Sequence, residues 1–168
     1  PQEQLEALDK ATHDLVNMQY STYTRSLLPL LEKNGLHVIQ AHEDLTKAEG
    51  DYVDRYFKDS VYPVLTPMAV DSSRPFPLIR NKSLNIGALV KKKGENKEME
   101  FATVQVPSVL PRIVELPSGN DGKRKVILLE EIIEKNIEKL FLNYDIVCVH
   151  PFLIMRNADL TIEEDEAA

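Results

Sequence analysis

Leu84-Asn85-Ile86-Gly87-Ala88-Leu89-Val90 is the stretch that decides the fold class. Successive side chains of an extended strand point to opposite faces. Leu84, Ile86, Ala88 and Val90 therefore share one apolar face, opposite Asn85, Gly87 and Leu89. Lys91-Lys92-Lys93-Gly94-Glu95-Asn96 then reads as a polar turn, and residues 101–106 as the partner strand, with Ala102, Val104 and Val106 on one face. Residues 112–116 and 123–128 make a second pair, joined across Ser118-Gly119-Asn120-Asp121-Gly122. Residues 144–155 return to strand, interrupted at Pro151. Hairpins and helices in separate runs predict an α+β fold: a mainly antiparallel sheet of about five strands with helices on one face.

Toward the N-terminus, residues 2–33 read as a long helical arm, with Leu5, Leu8, Leu15 and Met18 recurring near helical spacing. Pro29 lacks an amide hydrogen and crowds the preceding turn, which predicts a kink or restart near Ser26. Asn34-Gly35 closes the helix, and His37-Val38-Ile39 is a short extended segment. Thr46-Lys47-Ala48-Glu49 has the spacing of a capping box. Val53, Tyr56, Phe57 and Val61 continue that helix on one face until Pro63 stops it. Residues 63–82 form a long connection whose four prolines, Pro63, Pro67, Pro75 and Pro77, favour an ordered, extended path. A later helix carries Leu129, Ile132, Ile133, Ile137, Leu140 and Phe141 on one stripe, with Glu130, Glu131, Glu134, Lys135 and Glu138 opposite. Thr161-Ile162-Glu163-Glu164 opens a last helix. Neither Pro1 nor the closing Asp165-Glu166-Ala167-Ala168 resembles a natural terminus, so a segment of a longer protein is expected.

The 168 residues carry a net charge of −7, which argues against the whole chain binding nucleic acid or another polyanion and leaves room for a local basic patch. Only six glycines are present, and Gly119-Asn120-Asp121-Gly122-Lys123-Arg124 is too short for a nucleotide loop and lies between strands. His13, His37, His42 and His150 lack the spacing of a metal site and have no cationic cluster that would activate a phosphorylated nucleophile. Cys148, the single cysteine, lies in an apolar run and reads as a buried strand residue. No apolar run approaches the roughly 20 residues that span a bilayer. Lys91, Lys92 and Lys93 read as a solvated turn. Arg74, set among Pro75, Phe76 and Pro77, and Arg156, before Asn157, either clamp phosphate, meet a neighbouring domain or form ion pairs within the fold.

Three stretches resemble the polyphosphate kinase family. The first runs from Tyr62-Pro63-Val64-Leu65-Thr66-Pro67-Met68-Ala69-Val70-Asp71 through Arg74-Pro75-Phe76-Pro77 to Asn81-Lys82-Ser83-Leu84-Asn85. The second is Phe101-Ala102-Thr103-Val104-Gln105-Val106-Pro107 with Leu110-Pro111-Arg112. The third is His150-Pro151-Phe152 with Arg156-Asn157-Ala158-Asp159-Leu160. Leu153 departs from the basic residue often found there, which weakens a phosphate role for that turn. The resemblance implies that residues 1–35 are a helical arm from the end of an N-terminal domain. Residues 36–168 would then be the middle, or head, domain, truncated at its last helix. It further implies a parent that reversibly transfers the ATP γ-phosphate to polyphosphate through a phosphohistidine, using Mg2+.

In such a parent this segment is expected to be non-catalytic and to serve structure and dimerisation. No catalytic residue, cofactor ligand or metal ligand carries over onto it, and ATP and polyphosphate bind mainly elsewhere. The implied partners are other domains of the same polypeptide and a second copy in a homodimer. Arg74, Phe76, Lys82 and Arg156 are the candidates for interface or phosphate contact. A cytoplasmic location is expected, with membrane association open to the parent. Two competing readings are a free-standing protein-interaction module without enzymatic activity and a small nucleotide-binding domain active by itself.

Overall fold

The computed structural model describes residues 2–70, 79–94, 99–117 and 122–155. Along the chain, α1 (Gln2–Thr22) passes through a widened π turn (Tyr23–Leu27) into α2 (Leu28–Lys33), then β1 (Leu36–Ile39) and α3 (Lys47–Tyr56). A second π turn (Phe57–Val61) leads to β2 (Pro67–Val70), β3 (Leu84–Lys92) and β4 (Glu100–Gln105). β5 (Ile113–Glu115), β6 (Arg124–Leu128), α4 (Leu129–Lys135) and β7 (Tyr144–Leu153) complete the order. The fold is α+β, with a long N-terminal helix. Among the described residues no helix is long and apolar enough to cross a membrane.

The chain divides into two compact units, residues 1–53 with 113–128, and residues 54–112 with 129–168. In the first unit, the Leu28 amide donates to the Tyr23 carbonyl, five residues back, so the helix widens between Thr22 and Pro29. This is the break expected near Ser26, caused by a proline ring that crowds the carbonyl four residues before it. None of the α1 residues is buried, and Leu5, Leu8, Leu15 and Met18 are each at least 64% exposed. The three-stranded sheet runs β1-β6-β5, with β1 parallel to β6 and β5 antiparallel to it.

The capping box at α3 is formed. The Thr46 amide donates to Glu49 Oε2 at 2.9 Å, and the Glu49 amide donates to Thr46 Oγ1 at 3.4 Å. Lys125 Nζ, on β6, donates to Glu49 Oε1 at 3.0 Å. Burial pushes the Glu49 carboxyl up, but the Thr46 amide, the Lys125 ammonium and the Thr46 hydroxyl together hold it below its ordinary value.

The second unit is built on a four-stranded antiparallel sheet in the order β2-β4-β3-β7. The apolar face read from residues 84–90 is its core: Ile86, Ala88 and Val90 are buried beside Ala102 and Val104 of β4. α4 packs against β3 and β7. On the opposite face Gly87 leaves room for two rings. A Cβ there would lie 3.1 Å from both Phe101 and Phe152, which meet edge to face at 6.1 Å across the bare strand.

The expected α+β class is seen, with seven strands among the described residues, in a four-stranded antiparallel sheet and a three-stranded mixed one. Other sequence expectations are corrected. Residues 67–70, read as connection, form an edge strand, and Pro67 is tolerated because it opens that strand. Pro151 does not interrupt β7, which is the other edge and has no outer neighbour to bond among the described residues. Instead β7 bulges at Val147, the extra residue where the register shifts opposite Leu89 and Val90. Cys148 is half-buried rather than buried. The helix from Leu129 stops at Lys135, not near residue 142. Asn136 turns its side-chain amide back onto the Ile132 carbonyl at 3.0 Å and leaves helical geometry. Glu130, expected on the solvated face, is buried. The 118–122 loop up to residue 121, the whole of the 71–78 stretch with its Pro75 and Pro77, and the capping box at Thr161 lie outside the described residues.

Candidate functional site

The turn Arg80-Asn81-Lys82-Ser83 leads into β3. The Ser83 amide donates to the Arg80 carbonyl at 3.2 Å, and the Ser83 hydroxyl donates to the same oxygen at 2.6 Å. Asn85 is 1% exposed, and its side-chain amide donates to the Ser83 carbonyl at 2.9 Å and reaches the Ser83 hydroxyl at 3.0 Å. The turn is thereby fixed to the strand from below. Lys82 has φ of 57°, in the left-handed region, and its amide donates to the Ile154 carbonyl at 2.8 Å. Exposed Arg80 and Lys82 project from a rigid base.

This turn forms one wall of a cavity of about 560 Å³. The polar lining includes Arg80, Lys82, Arg112, Asn81, Gln105 and Ser108, above buried Val106 and Leu129. Among the described residues the lining carries three cationic side chains and no carboxylate. Arg112 is anchored: its Nε lies 3.1 Å and its Nη2 2.6 Å from Glu130 Oε1, with Nε also 3.2 Å from Oε2. No ion pair of Arg80 or Lys82 with another described residue is present.

Lys82 is thus the one sequence candidate placed in the cleft. Arg74, Phe76 and Arg156 lie outside the described residues. Arg80 and Arg112 were not singled out by sequence reasoning. Arg80 directly precedes the Asn81-Lys82 turn, which is a local signal, whereas Arg112 reaches the cleft only through β-strand topology.

The histidines sit elsewhere. His13 Nδ1 lies 3.4 Å from Asp9 Oδ1 on α1, and His42 Nε2 lies 3.4 Å from Glu43 Oε1. His37 Nδ1 meets Glu32 Oε2, whose carboxylate also takes Lys123 Nζ at 2.5 Å. Lys123 and then His37 hold the Glu32 carboxyl below its ordinary value. His150 is exposed on the edge strand β7. Among the described residues no group of three His, Cys, Asp or Glu side chains could hold a metal ion.

Residues 48–168 match the family model described as polyphosphate kinase middle domain. The polyphosphate kinase of Lactiplantibacillus plantarum is 43% identical over 166 residues, which is 99% of this chain and 23% of that protein. The polyphosphate kinase of Halalkalibacterium halodurans is 42% identical over 167 residues, again 99% of this chain and 23% of that protein. The crystal structure of polyphosphate kinase from Porphyromonas gingivalis superposes with a TM-score of 0.86 and 25% identity, over 96% of this chain and 25% of that one. The chain therefore spans about a quarter of the length of these three relatives. With the family model covering the whole of residues 48–168, the chain belongs to the polyphosphate kinase family, as its middle domain.

Proposed function

We propose that this chain is a non-catalytic, structural segment of a cytoplasmic enzyme. That enzyme reversibly transfers the ATP γ-phosphate to polyphosphate through a phosphohistidine, with Mg2+, and the segment helps hold it as a homodimer. The observation that carries the reading is the setting of the histidines. His13, His37 and His42 each face a carboxylate, of Asp9, Glu32 and Glu43 respectively. A histidine that accepts a phosphoryl group needs cations placed around the transferred phosphoryl oxygens. Among the described residues the cationic cleft contains no histidine at all. The cations of the cleft therefore have no histidine nucleophile in the lining, which supports a reading in which the chemistry belongs to other domains.

The uncovered Leu5, Leu8, Leu15 and Met18 on α1 support a contact with another domain of the same polypeptide. The dimer role is tested in the full-length parent. Subunits labelled with light and heavy isotopes are mixed, cross-linked through lysine and mapped by mass spectrometry. Heavy-to-light cross-links involving lysines of this segment are expected. If every inter-subunit cross-link maps outside it, the dimer role is wrong.

A further inference from the structure

We propose that the cleft beside the 80–83 turn is a non-catalytic binding site for a condensed phosphate chain. Its volume of about 560 Å³ lies within the range of small-ligand sites. Arg80 and Lys82 stand two residues apart on one turn and line the same cavity, with Arg112 also in the wall. The Arg80 guanidinium and the Lys82 ammonium, which have no carboxylate partner among the described residues, are matched by phosphate oxygens, while Arg112 is held by Glu130. Gln105 and Ser108 line the same space, and their side-chain amide and hydroxyl are neutral donors.

The backbone at Lys82 points the same way. A φ of 57° is costly for a residue with a Cβ, and glycine or asparagine takes it more readily. The strained position carries a lysine facing a cleft instead. The strain is maintained by the bond from the Lys82 amide to Ile154 and by the Asn85 and Ser83 bonds beneath the turn. A strained cation on a rigid base is what a binding position requires, not what folding alone favours.

Nucleic acid fits less well. Among the described residues the lining has no aromatic side chain on which a base could stack. The choice of condensed phosphate rests on the proposed activity of the parent; the cationic cleft does not.

Titration calorimetry of the 168-residue chain with tripolyphosphate at low salt tests the site. Saturable binding is expected, and the double variant Arg80→Gln/Lys82→Gln should weaken it about tenfold or more. The control Lys10→Gln/Lys33→Gln makes the same change in net charge on the helical arm and should leave affinity unchanged. Lys82→Gly should lower affinity while raising Tm by relieving the backbone. Absence of binding, or equal affinity in the Arg80/Lys82 double variant, overturns the cleft as a site. A single-stranded oligonucleotide of matched charge that binds as tightly through Arg80 and Lys82 overturns condensed phosphate as its ligand. No turnover is measured, so failure here leaves the parent's proposed activity to be judged on its own test.

Discussion

Phe57→Ala is expected to destabilise the chain by about 4 kcal/mol, the range of a fully buried phenylalanine truncated to a methyl group. Phe57 is 1% exposed and lies in the π turn that follows α3. Its ring meets Tyr62 edge to face at 6.0 Å, and Lys139 Nζ stands 5.8 Å from its centroid. Truncation removes the apolar transfer term and leaves a cavity that fixed neighbours, including buried Val61, fill only in part. Urea unfolding followed by circular dichroism measures the loss as a lower midpoint at unchanged slope. Phe57→Leu retains most of the volume and should cost far less. If Phe57→Ala costs under about 1 kcal/mol, the core described for the second unit is not packed around this ring.

Arg112→Ala is the second large effect, about 3 kcal/mol, because it strips a buried carboxylate of its charged partner. The Glu130 side chain is 6% exposed, while that of Arg112 is 62% exposed. The pair is asymmetric: water reaches the guanidinium, but the carboxylate depends on it. The main chains are tied as well, with the Leu129 amide donating to the Arg112 carbonyl at 2.8 Å. The double variant Arg112→Leu/Glu130→Leu removes both charges and should recover most of the loss. A cost under about 1 kcal/mol for the single variant would mean that the pair behaves as an exposed surface salt bridge.

Local patterns were the readable part of this sequence. The alternation at 84–90, the capping box at Thr46 and Glu49, and the helix break before Pro29 all act within a few residues, and each formed as expected. What escaped is set by distant partners. β1 pairs in parallel with β6, Leu36 opposite Arg124, and no local pattern specifies such a neighbour. Pro67 and Pro151 looked like strand breakers, because only topology reveals that both lie on edges. Glu130 fits an acidic helix face by spacing, yet Arg112, 18 residues away, draws it inside. In the cleft, Lys82 was legible from its turn and its resemblance. Arg80 and Arg112 became candidates only when the 80–83 turn and the segment after β4 were seen to line one cavity.

The role proposed for this segment of a polyphosphate kinase is structure rather than chemistry. Its most direct test incubates the purified 168-residue chain with γ-labelled ATP, Mg2+ and a polyphosphate primer, beside the full-length parent. Acid-labile, histidine-linked label and polyphosphate growth are expected in the parent, and neither in the chain. Label retained on His13, His37, His42 or His150 of the chain, or primer extension that survives further purification, would contradict that role.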